Sequence, residues 1–93
     1  MALSTDERAL LTLIANSHEP VVMSDFFHEL SPPAPGMNEH HPGHEEWALR
    51  QIEWHRVSVQ LWQHDLVRVV APANGERGDM AEPTEAGIAA LAV

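Results

Sequence analysis

The sequence predicts an α+β domain of three to four helices with a small antiparallel β-hairpin, and three observations carry that prediction. Ser4 and Thr84 each stand just ahead of apolar residues at helical spacing, where N-caps belong. Residues 45 to 65 contain neither glycine nor proline, so one long helix can run through them. The run LVRVVA, from Leu66 to Ala71, is followed by an Asn74-Gly75 pair suited to the positive backbone angles of a hairpin tip.

Helix one is expected from Thr5 to Asn16. Ser4 opens a capping box with Glu7, and Leu10, Leu11 and Ile14 then share a face. His18, Glu19 and Pro20 stop this helix, and Val21, Val22 and Met23 lead to Ser24, an N-cap for a short second helix over Asp25 to Leu30. The stretch SPPAPGMNEHHPG, from Ser31 to Gly43, breaks both helix and ladder with four prolines and two glycines. It is longer than most helix connections, as a mobile appendage or an interaction element would be. The long helix is expected from Glu45 to Asp65, with Glu45 and Glu46 at the positive end of its dipole. A strand from Leu66 to Ala71, a tip from Pro72 to Gly78 and a return strand near Asp79 to Glu82 follow. Thr84 caps a last helix from Glu85 to Ala92, with Ile88 and Leu91 on its inner face.

Ninety-three residues are enough for one domain with one modest core, so the expected organisation is a single unit over 1–93 carrying a Pro/His-rich loop insertion at 31–44. Absence of cysteine removes disulfides, thiol catalysis and cysteine-ligated zinc. No segment approaches the roughly 18 apolar residues of a membrane span, and acidic Asp6 and Glu7 come before any long apolar run, which gives a cytoplasmic expectation. Fourteen acidic residues face five basic ones, all arginine, for a formal net charge of -9. A field of that sign opposes the approach of nucleic acid. Small size and a lysine-free, alanine-rich composition suggest a phage-encoded or accessory protein.

The stretch VSVQLWQHDLVRVVAPANGERGDMAEPTEAGIAAL, residues 57–91, resembles the second half of winged helix-turn-helix domains of the MarR- and PadR-like kind. There the recognition helix runs into G-L-V, a wing strand, a charged tip and a return strand ending in Leu-Thr, two residues, Gly. Asp65, Leu66 and Val67 occupy the G-L-V positions, and Pro83, Thr84 and Gly87 those of Leu-Thr and Gly. About 35 residues carry the likeness, and the rest matches only in element order. The resemblance implies a winged helix with the long helix as recognition helix. Pro83 cannot donate to a ladder, so the return strand is expected to be short or bulged.

At about 100° per residue, Trp47, Gln51, Trp54, Ser58, Leu61 and Trp62 share one arc of the long helix. Ala48, Ile52, Val59 and Leu66 form a second arc beside it. The combined apolar surface is wider than one core stripe, and the N-terminal half of such a helix usually projects, so Trp47 and Trp54 need a cover: another chain, or the 31–43 loop. Trp47, Gln51, Trp54 and Leu61 are therefore the expected partner-binding residues, with a protein partner or homodimer preferred. Glu46, Arg50, Glu53, Arg56, Gln60 and His64 lie opposite, and Glu46 with Arg50 and Glu53 with Arg56 read as self-neutralising pairs on a solvated face. The alternative is a dimeric winged-helix transcription regulator that meets DNA through Gln51, His55, Arg56 and Arg77. A third class is a DNA mimic, which needs its carboxylates on one face.

His40, His41 and His44 are weak candidates for zinc or nickel ligands, because a proline-broken loop replaces the i, i+4 spacing of helical ligand pairs. Titration of the seven histidines below pH 6 would cut most of the negative charge and so alter self-association. There is no nucleophile elbow, no phosphate-binding glycine loop and no convergent pair of carboxylates. The expectation is a non-enzymatic chain without a cofactor.

Overall fold

In a computed structural model that describes residues 3–93, the described residues form four helices and a three-stranded antiparallel sheet. The order is α1 (Thr5–Asn16), β1 (Val21–Val22), a 3-10 turn (Met23–Phe26) continuing into α2 (Phe27–Leu30), α3 (His44–Gln63), β2 (Val67–Ala71), β3 (Met80–Pro83) and α4 (Glu85–Leu91). Among the described residues, no helix is long and apolar enough to cross a membrane.

Local chemistry sets the boundaries. Ser4 Oγ accepts from the Glu7 amide at 3.1 Å and Glu7 Oε1 accepts from the Ser4 amide at 2.9 Å, so α1 begins where the capping box requires. The second helix departs from expectation. Ser24 makes no cap; the turn opens after Val22 without a side-chain acceptor and tightens into 3-10 geometry before α2. Likewise, α3 starts one residue early, at His44 after an uncapped Gly43, and ends at Gln63 instead of Asp65. Asp65 takes a left-handed φ of 59°, its amide donates to the Trp62 carbonyl at 3.1 Å, and the Leu66 amide donates to the Leu61 carbonyl at 2.9 Å. This Schellman closure satisfies the helix end and turns the chain into β2.

The same corner fixes α4. Thr84 Oγ1 accepts from the Gly87 amide at 3.0 Å and donates to the Asp65 carbonyl at 2.6 Å, and the Thr84 amide donates to the Leu66 carbonyl at 3.1 Å. A Cβ on buried Gly87 would lie 2.1 Å from the Leu66 carbonyl oxygen, so only glycine permits this approach. Gly87 and half-buried Leu91 form the inner side of α4. Ile88, expected there, is 57% exposed, because the close contact at Gly87 rotates it outward.

The strands run in the order β1-β3-β2. β1 was not foreseen: Val21 pairs with Ala81 and Val22 with Met80, a two-residue ladder that exists only because β3 lies beside it. β3 is set one residue later than expected. Pro83 ends it opposite Val67, beyond the reach of β1, where its missing N–H is tolerated. The irregularity that proline suggested lies on the partner strand, where Val70 is bulged out between Val69, paired with Ala81, and Ala71, paired with Met80. Helices α1 and α3 pack on this sheet around Leu10, Leu11, Ile14, Phe27, Trp54, Val57, Leu61, Val67 and Ala81.

Candidate interaction surface

Ser31 begins the proline-rich loop and gathers three side chains from one side of α3. Its carbonyl accepts from Trp47 Nε1 at 3.0 Å and from Gln51 Nε2 at 3.0 Å, and its Oγ accepts from Trp54 Nε1 at 2.7 Å. Spacings of four and then three residues stack the donors along the helix, so one loop residue can meet all of them. His28 of α2 sets its ring edgewise to Trp47, with centroids 5.3 Å apart. The cover over this half of α3 is thus supplied by the chain itself.

Two expected partner contacts are corrected by that arrangement. Trp54 is 3% exposed and Leu61 fully buried, so neither can touch a partner on the folded chain. Trp47 and Gln51 are half-buried and already bonded to Ser31. The self-paired face is revised as well. Arg50 does not pair with Glu46; it forms a two-point ion pair with Asp6 of α1, both bonds 2.9 Å, and its guanidinium lies 4.5 Å above the Trp54 ring. That hydrogen-bonded pairing holds the Asp6 carboxyl below its ordinary pKa. Glu53 and Gln60 are half-buried on the same side, and His64 Nδ1 lies 3.9 Å from Glu7.

What α3 leaves open is an outer set of apolar side chains drawn from both arcs and from Leu49. Ile52 is 65% exposed, Leu49 59% and Trp62 55%, with Val59 partly exposed between them. Ile52, Val59 and Trp62 were counted in the apolar arcs but not singled out as a site, and Leu49 was placed in neither arc. The excess of apolar surface over one core stripe was the signal. Val59 and Trp62 continue into a groove of about 530 Å³ between α3, the turn before α2 and the sheet, where Val22, Met23, Phe27 and Val69 complete the apolar lining.

Electrostatics on this face do not suit phosphate. Each arginine donates to an oxygen of the chain: Arg8 to the main-chain oxygens of Leu91 and Val93, Arg50 to Asp6, Arg56 to Glu53, Arg68 to Glu82, and Arg77 to the carbonyls of Pro72 and Gly78. Of the residues expected to meet DNA, Gln51 is bound to Ser31, Arg56, though exposed, to its neighbouring carboxylate and Arg77 to its own hairpin tip; His55 stands exposed on α3 beside Arg56 and lines the groove.

The histidine-rich loop is used locally. His41 Nδ1 accepts from the Gly43 amide at 2.9 Å, His40 reaches only the neighbouring Glu39, and His44 starts α3 beside Trp47. Among the described residues, no three histidines or carboxylates are grouped to hold a metal ion. Compared with protein-family models, with curated proteins and with solved structures, the chain matches none, so the surface is interpreted from its own geometry.

Proposed function

We propose that this chain is a non-enzymatic interaction domain of the winged helix-turn-helix kind, which binds a protein surface through the outer side of α3. The observation that carries the proposal is the character of that side. A helix that reads DNA needs uncompensated donors aimed at phosphates and base edges. Here Leu49, Ile52, Val59 and Trp62 are exposed, while each arginine donates to an oxygen of the chain, Arg56 to Glu53 on α3 itself. Exposed large apolar side chains grouped on one helix are typical of protein contacts.

Support for the winged-helix assignment comes from the element order, the β1-β3-β2 sheet and the corner where Asp65, Leu66, Thr84 and Gly87 meet. Those residues carry the sequence resemblance, and each has a geometric task there. The second reading, a DNA-binding regulator, is favoured by one observation: His55 projects from the outer side of α3 next to the hairpin.

Retention on bulk DNA at low salt separates the two. The protein-binding reading expects none, whereas a regulator would be retained and released steeply as salt rises. In parallel, the chain and its Ile52→Ser/Trp62→Ser variant are compared for self-association by sedimentation and for capture of proteins. Whichever of the two the chain shows is expected to be lost in the variant; unchanged behaviour of a folded variant overturns the assignment of the α3 face.

A further inference from the structure

We propose that the groove between α3 and the sheet receives a cationic amphipathic helix of a partner protein. This deepens the reading above by naming the occupant, and it rests on that reading. Two features argue for a helix. The exposed apolar residues Ile52, Val59 and Trp62 follow the α3 axis over about 15 Å at 1.5 Å per residue, the length along which a docked helix presents anchors at i, i+3 or i+4, and i+7. The groove itself, about 530 Å³ and walled by Val22, Met23, Phe27, Val59, Trp62 and Val69, has room for several apolar side chains. A small apolar molecule in the groove would leave Ile52 and Leu49, which lie outside its lining, as bare as before.

Charge decides which helix. The one carboxylate on the groove wall is Asp79, and exposed Asp25 follows lining residue Ser24, just past the β1 residue Val22 that pairs with Met80 next to Asp79. No arginine lines the groove; Arg77, next to Gly78, is folded onto the carbonyls of Pro72 and Gly78. The chain as a whole carries -9. A second copy would bring the same negative field to the contact, while lysines or arginines along one edge of an apolar stripe would meet Asp25 and Asp79 and be steered in by the field.

The test titrates the isotope-labelled full chain at low salt with three synthetic peptides of about 18 residues, long enough to form helix on binding. One is a leucine/lysine amphipathic helix, one its leucine/glutamate counterpart, one a scrambled leucine/lysine sequence that breaks the stripe. The first is expected to shift resonances of Val59, Val69, Gly78 and the Trp62 indole, and to bind at least about tenfold more tightly than the other two. Trp62→Ser is expected to lose most of that affinity, and Asp25→Asn with Asp79→Asn to weaken it and flatten its salt dependence, in variants whose spectra remain dispersed. Equal binding of all three peptides, shifts confined to other surfaces, or no binding of the leucine/lysine helix overturns the proposal. A free chain that is already a dimer closed over Trp62 overturns it too, yet leaves the protein-docking reading intact. Salt-sensitive DNA retention defeats both.

Discussion

Trp54 Nε1 donates to Ser31 Oγ at 2.7 Å, so the most deeply buried indole of the chain finds its acceptor on the first residue of an irregular loop. Ser31→Ala leaves that N–H without a partner in a closed site, and a loss of about 1–3 kcal/mol is expected from urea unfolding. Adding Trp54→Phe removes the orphaned donor together with its partner, so the two changes are expected to be non-additive. Additive losses would show that the bond contributes little.

Gly87→Ala is expected to cost about 1–3 kcal/mol, because a methyl group 2.1 Å from the Leu66 carbonyl oxygen forces two backbones apart. Ile88→Ala next to it is expected to stay within about 0.5 kcal/mol, since Ile88 faces outward. Thermal melts of the two variants compare them directly.

Asp65 holds a left-handed φ of 59° at the end of α3. Asp65→Gly is expected to be neutral or to raise stability by up to about 1 kcal/mol, the relief of backbone strain exceeding the added flexibility of the unfolded chain. Asp65→Val is expected to lose more than about 1 kcal/mol, because a branched side chain fits that conformation poorly. Equal stability of the two variants would show that the Schellman turn does not govern this corner.

The Asp6 and Arg50 pair gives a pH dependence of defined sign. Hydrogen bonding from Arg50 lowers the folded pKa of Asp6, so its contribution is present above the ordinary value near 3.9 and is lost as pH falls through the lower folded value. Both side chains are about one-third exposed, so Asp6→Asn is expected to cost about 1 kcal/mol or less at pH 7. That difference should shrink toward zero near pH 2, read from urea midpoints at both pH values. A gap that stays constant would assign the effect to packing.

The two tryptophans separate stability from surface. Trp54→Ser is expected to cost at least about 3 kcal/mol, whereas Trp62→Ser is expected to change stability by about 0.5 kcal/mol or less. A large loss from Trp62→Ser would place that side chain in the stabilising core.

Local signals carried much of the architecture. Ser4 with Glu7 and Thr84 with Gly87 are contained in a few consecutive residues, so the helices they start were legible directly. β1 was not, because Val21 and Val22 become a strand only through Met80 and Ala81, far away in the chain. On α3 the periodicity revealed two apolar arcs and a need to cover Trp47 and Trp54, but not whether the loop or another chain would do so. Tryptophan and isoleucine weigh alike on a helical wheel, and it is Ser31 and Asp6, neither of them apolar, that turn Trp54 and Arg50 inward and Ile52 outward. The surface therefore had to be found from the packing.

The displaced Val70 has a further effect. β2 is an outer strand, and a regular run of valines there would offer another chain a straight row of free amides and carbonyls to zip onto. The extra residue interrupts that row and bends the rim, which discourages open-ended fibre growth.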